Sequence, residues 1–291
     1  MMTNTTVARP ASLGSAPKPA LKPKSVRVRN RRLAIFAGQV IVLLVFLAAW
    51  QFLPLIPALS AWSHVFDPYF VSSPTKVATS VFDLATGSNN SVLIWPYMWQ
   101  TVFASLLGTV IGLVLGGVCG LILSNFPFLS AVMRPFVVAA NATPRVALIP
   151  VVVIIFGLSL TTSVVIAVLV VFFVAFFNAY EGGISIPRQM IDNARLLGAN
   201  NARVLLHVRV RYALAWTITG LPLAVTFAII SVVTGEILTG YQGTGYLLAT
   251  AATTGNATLT FGVVFYLAVV GLLIVMAAEA LRRRVLHWWA K

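Results

Sequence analysis

The sequence predicts an all-α membrane protein that crosses the bilayer six times. Three observations lead there. Hydrophobic residues make up 59% of the 291-residue chain and charged residues only 9%, against roughly a quarter in an ordinary soluble domain. Several apolar runs reach the ~20 residues that a helix needs to cross the hydrocarbon core. The basic residues are also segregated. Of the 20 lysines and arginines, 18 fall in segments that six crossings would place on one side.

The elements follow in chain order. Residues 1–32 carry eight of the basic residues among Pro, Ala, Ser and Thr, a composition that cannot bury a core and predicts a disordered cytoplasmic tail able to lean on anionic lipid headgroups. No small-residue cleavage pattern follows the next apolar run, so that run is read as an uncleaved first span, about Leu33 to Leu53, opening a membrane domain over 33–291. "SSPTKVATSVFDLATG" (72–87) then predicts a short amphipathic surface helix over 73–86. Ser73 can cap it, Pro74 suits its first position, and Val77, Val81, Leu84 and Ala85 share one face.

Span two runs from about Pro96 to Leu123, with Gly108, Gly112, Gly116, Gly117 and Gly120 as a stripe that admits a close helix. After the turn "SNFPF", span three covers about Leu129 to Phe156 and is interrupted by Pro135, Pro144 and Pro150. Span four is about Thr161 to Tyr180, span five about Ala213 to Leu238, and span six about Leu259 to Leu281. With the N-terminus inside, the tail, the turn near Arg134, residues 181–212 and the C-terminus face the cytoplasm. Only Lys76 and Arg145 escape that positive-inside pattern. Cys119 is the sole cysteine, lies in an apolar run and can form no internal disulfide.

Several chemistries are excluded. No G-x-x-x-x-G-K-[ST] occurs, so the chain cannot cradle nucleotide phosphates in the P-loop manner. His64, His207 and His287 lack metal-ligand spacing, and six acidic residues leave little room for paired-carboxylate catalysis. The net charge of +14 is explained by topology, not by nucleic acid.

One cytoplasmic stretch departs from its apolar surroundings: "IDNARLLGANNARVLLHVRVRY", residues 191–212. Ser185 and Pro187 mark a helix start, and Met190, Ala194 and Leu197 share a face. Gly198 can stop that helix in a left-handed conformation. Asn200 or Asn201 can cap a second helix running into span five. An ordinary charged loop would share this composition; the spacing goes further. Asp192-Asn193-Ala194, three residues, Gly198, nine residues and Val208-Arg209-Val210 resembles the cytoplasmic Glu-Ala-Ala loop of ATP-binding-cassette (ABC) importer permeases. Asp stands for Glu, Asn for the first Ala, and Arg211 where Pro is usual. "SSPTKV", "TPRVALIPVVVIIFGLS" and "GEILTGYQGTGYLL" resemble further family segments in the family's order. The resemblance covers about residues 70 to 285, and it is greatest to the subgroup importing nitrate, taurine and other sulfonates, bicarbonate and some related small organic solutes.

The resemblance implies a type I importer permease fold in the bacterial plasma membrane. It implies a homodimer, two cytoplasmic ATPases, and an external binding protein that delivers a small organic or inorganic anion. The chain itself would be no enzyme and bind no cofactor, with ATP and Mg on the ATPases. The helix at about Pro187 to Leu197 would be the coupling helix, with Arg188, Asp192, Asn193, Ala194, Arg195, Leu196, Leu197 and Gly198 meeting the ATPase.

For the translocation path, the residues offer Asn141, Thr143, Pro144, Arg145 and Glu236, since ionisable groups at membrane depth are costly. Arg145 could equally snorkel to the outer surface. Glu236 could pair with Arg145, cap a loop or line a gate, and a structural role is favoured. Asn178 and Glu181 read as interface residues, and Glu279 as a partner of Arg282 and Arg283. A secondary transporter or channel without an ATPase is the alternative. It would often show internal repeats, and none is convincing here.

Overall fold

A computed structural model describes residues 25–56 and 68–287. Every regular element among them is helical. The chain divides into two compact units, Met1–Ala49 and Trp50–Lys291.

Helix α1 spans Ser25–Phe52. Residues 25–32, assigned by composition to a disordered tail, therefore continue the first helix. The rest of that tail lies outside the described residues. The apolar part of this helix, Ala34–Leu55 with its short 3-10 end, is long enough to cross a membrane.

The second unit opens with a single turn, α2 (Pro68–Val71), and the amphipathic helix α3 (Pro74–Thr86). Val77 and Leu84 are buried and Val81 and Ala85 half-buried, as the periodicity predicts. Ser73 holds the cap position, but its hydroxyl meets Thr75 Oγ1 at 3.3 Å and caps no backbone N–H. Gly87 ends the helix at φ 70. Tyr266 Oη then donates to Val81 O at 2.9 Å and Trp95 Nε1 to Ala85 O at 3.0 Å, which ties the surface helix to two spans.

The centre is a pair of long helices, α4 (Trp95–Asn125) and α7 (Leu160–Ile184). Gly108, Gly112, Gly116 and Gly120 let α7 lie directly on α4's backbone. A Cβ at Gly112 would meet Val171 Cβ at 2.7 Å, and one at Gly116 would meet Ala175 Cβ at 2.9 Å. Without a hydrophobic driving force between helices in lipid, such close van der Waals contact is what holds them together. Gly117 looks elsewhere, toward Thr217, with its nearest neighbour 3.8 Å from a hypothetical Cβ.

Between them the third span is broken. Helix α5 (Pro127–Ala142) and the segment Arg145–Phe156, whose helical part is α6 (Ile149–Phe156), meet at 86°. Thr143 and Pro144 are extended, as expected where a proline excludes helix from its predecessor. The predicted third span is thus a 16-residue helix and an 8-residue helix set at a steep angle.

The fifth span is also divided. Helix α10 (Val210–Thr219) stops where Leu221-Pro222 opens α11 (Leu221–Thr239). Helix α12 (Thr244–Thr253) and the long α13 (Ala257–Val285) complete the unit. Three buried clusters hold it together, the smallest of them Ile149, Val152 and Ile166 between α6 and α7. Ala104, Val164, Ala167, Val171, Ala224, Ala228 and Val232 join α4, α7 and α11. Leu84, Ile94, Met98, Leu247 and Val263 join α3, α4, α12 and α13.

Candidate functional site

Residues 188–209 form the helix, glycine stop and second helical stretch that the spacing predicts. Helix α8 covers Arg188–Leu196 and buries no residue. Gly198 takes φ 84. Its N–H donates to Arg195 O at 2.9 Å, and the Ala199 N–H donates to Ala194 O at 3.0 Å. These are the two bonds of a Schellman stop, which needs a residue free to be left-handed. Asn200, not Asn201, caps the next turn, α9 (Asn201–Val204), by accepting from the Arg203 N–H at 2.9 Å. A wide π turn over Leu205–Arg209 leads into α10.

Arg188, Asp192, Asn193 and Arg195 all point to solvent. Ala194 is half-buried, and Met190 is held by the Tyr212 hydroxyl, 2.8 Å from its Sδ. Leu197 was expected on the face of Met190 and Ala194. It lies past the last turn instead, and Leu196 and Leu197 stand 85% and 88% exposed. The segment is anchored by a bond that sequence gave no sign of: Arg209 Nη1 donates to Asn125 Oδ1 at 2.7 Å across 84 residues. The arginine and the C-terminal asparagine of α4 are ordinary residues for loop ends, so neither signalled the other.

The residues that the sequence offers for the path separate into two places. Arg145 begins the second half of the broken span. Its Nη2 donates to Asn141 Oδ1 at 2.5 Å, and its guanidinium lies over the Phe173 ring, 5.4 Å from the centroid. Asn141, Thr143 and Pro144 are exposed around it. Glu236 is not part of this group, and no ion pair joins it to Arg145 among the described residues. It is 1% exposed on α11. The Thr101 hydroxyl sits 2.9 Å from each of its oxygens, and the Gly245 N–H donates to it at 2.9 Å. Thr101 in turn accepts from the Thr244 N–H at 2.9 Å. Glu236 therefore ties the turn after α11 to α4. Glu279 pairs with Arg282 at 2.6 Å and Arg283 at 2.8 Å, as its spacing predicts. Among the described residues, no three His, Cys, Asp or Glu side chains gather as metal ligands would.

The binding-protein-dependent transport system inner membrane component family matches residues 108–287. The chain belongs to that family. It is the permease subunit of an ABC importer, a multi-pass inner-membrane transport component and not an enzyme. It is 32% identical over 225 residues to the riboflavin transport system permease protein RibX of Chloroflexus aurantiacus, covering 77% of this chain and 82% of the relative. It is 22% identical over 226 residues to the taurine transport system permease protein TauC of Escherichia coli, with 77% and 82% covered. Its fold matches a chain of the inward-facing MetNI methionine ABC transporter at a TM-score of 0.60 and 19% identity, covering 66% of this chain and 96% of that one. Within this family, the permease's exposed helix α8 and the bent pair α5–α6 are the two places that carry a functional reading.

Proposed function

We propose that this permease works as a homodimer with both termini in the cytoplasm, carrying a small organic or inorganic anion between its two copies. Two ATPases would dock on residues 181–212, and an external binding protein would deliver the substrate. The observation that carries this reading is α8. It is a rigid helix closed by a Schellman stop, it buries nothing of its own, and it ends in Leu196 and Leu197, both bare to solvent. Two large apolar side chains in water at a loop tip favour a partner's groove, and Arg188, Asp192 and Arg195 suit its wet rim. The Arg209–Asn125 bond supports the same reading. It links the docking segment to α4, so that ATPase closure acts on the spans as a rigid-body push.

The assignment of Asn141, Thr143, Pro144 and Arg145 to the path rests on the 86° break, which leaves non-helical backbone and one cation within an otherwise apolar stretch. Irregular backbone in lipid is tolerated where it lines a wet cavity or is covered by protein. Glu236 fits the path less well, because its oxygens are already committed within the fold.

The test is the complete importer, reconstituted with Asp192→Lys or Leu197→Asp. Both positions are exposed, so insertion and thermal stability are expected to hold. Substrate-stimulated ATP hydrolysis is expected to fall about tenfold or more, the loss of about 1.4 kcal/mol of docking energy. Normal stimulated hydrolysis in both variants overturns the reading.

A further inference from the structure

Arg145 is a cation whose charge nothing in the described protein answers. Its lone hydrogen-bond partner is the neutral amide of Asn141, and its Nε is buried with no acceptor at all. Helix α5 has 16 residues, a rise of about 24 Å against a hydrocarbon core of about 30 Å, so a helix that enters the core at Pro127 reaches its break before the far surface. A cation there is expensive unless a counter-charge or water reaches it.

The side chain opens on a cavity of about 70 Å³. Its walls are apolar residues of α6 and α7, together with Ser231 and Thr234 from α11. Among the described residues, no acidic one lines it. Ser231 and Thr234 sit one turn apart on the face of α11 that its own fold leaves uncovered, between Phe227, Ile230 and Ile237. Each hydroxyl donates to the carbonyl one turn back, Phe227 O at 2.7 Å and Ile230 O at 2.8 Å. The hydroxyls are thus fixed in place and wettable, on a helix face that is otherwise greasy.

We propose that this cavity is an anion subsite in which Arg145 takes the charged group of a compact organic anion, such as a sulfonate or carboxylate, and Ser231 and Thr234 form its opposite wall. The inference rests on the path reading above and narrows it from a location to a charge selectivity. Phe173 holds the guanidinium plane by cation–π contact, and with Nη2 committed to Asn141 the Nη1 end is left to the ligand. Arg145 touches the ligand directly; Ser231 and Thr234 set which shapes fit beside it.

The experiment uses the complete importer in nanodiscs, with Cys119→Ser to remove the one native thiol and Ser231→Cys as reporter. Labelling rates are compared for a sulfonate-bearing and a trimethylammonium-bearing methanethiosulfonate reagent. Each is normalised to its rate with a free thiol. The anionic reagent is expected to react at least about tenfold faster, the size of effect one focused charge gives in a low-dielectric cleft. Arg145→Gln is expected to abolish the preference. Methanesulfonate should slow labelling, and the neutral methanesulfonamide should not. Labelling without charge preference, or a preference that survives Arg145→Gln, overturns the anion subsite and leaves the path reading standing. Equal protection by the two methane derivatives does the same. No labelling at all shows a surface sealed by protein or lipid and overturns both.

Discussion

Gly116 and Gly117 are neighbours on α4, and the structure predicts opposite responses to one added methyl. A Cβ at Gly116 would sit 2.9 Å from Ala175 Cβ and within contact of the Phe172 carbonyl. Carbon atoms rest at about 3.5–4.0 Å, so α4 and α7 would have to part by about 1 Å at that turn. Overpacking of this kind costs typically 1–3 kcal/mol. The obstructing atoms belong to a helix backbone and to an alanine, and neither can rotate away. A Cβ at Gly117 would meet Thr217 Cγ2 at 3.8 Å, an ordinary contact. There the substitution keeps only the gain in helix propensity, up to about 1 kcal/mol. The assay is thermal unfolding of the purified permease in nanodiscs. Gly116→Ala should lower the midpoint and Gly117→Ala should hold or raise it, a difference of about 2 kcal/mol between adjacent residues. Equal midpoints for the two variants would refute the claim that backbone contact at the glycine stripe holds α4 to α7.

Gly198 supports a graded series, because nothing lies within 4 Å of a Cβ there and only its φ of 84 resists a side chain. Asn should retain most coupling, Ala should lose some, and Val should lose most. The order follows the cost of left-handed backbone, about 1–2 kcal/mol for a residue with a Cβ; equal stimulated ATP hydrolysis across the series would defeat it. Glu236→Ala should lower the unfolding midpoint by removing the acceptor of the Gly245 N–H and the Thr101 hydroxyl, about 1–3 kcal/mol for buried groups left unmet. Correctly folded Glu236→Ala protein should still transport, and a folded but inactive variant would return Glu236 to the path. Arg209→Ala should leave ATPase binding intact while lowering transport per ATP hydrolysed, measured as flux against phosphate release. Unchanged stoichiometry would mean that the bond to Asn125 transmits nothing.

Much of the fold was legible because hydropathy and local spacing determine it. The spans were readable as apolar runs, the surface helix from Val77 and Leu84, and the stop at Gly198 from one glycine between periodic segments. The third span shows the limit. Pro135, Pro144 and Pro150 announced an interruption, but prolines remove hydrogen bonds and do not specify a bend of 86°. That angle depends on what Ile149 and Val152 find to pack against on α7. Pairing across distance was hidden for the same reason. For Glu236 the sequence leaves a pair with Arg145, a loop cap and a gate open, with a structural role favoured, and names no partner for that role. The fold gives Glu236 a threonine 135 residues away and an amide at the head of α12, and leaves Arg145 beside Ser231 and Thr234. Those two hydroxyls carried no sequence signal, since Ser and Thr occur throughout apolar helices satisfied by their own carbonyls.

The glycine seam between α4 and α7 also limits how this molecule can change shape. Four successive contacts with no slack rivet two helices into one member, so sliding or twisting between them is not an available degree of freedom. Motion is left to the joints: the extended pair Thr143-Pro144, the interruption at Gly220 before Pro222, and the wide turn over Leu205–Arg209. The number of shapes the permease can take is therefore set by its few joints and not by its many helices.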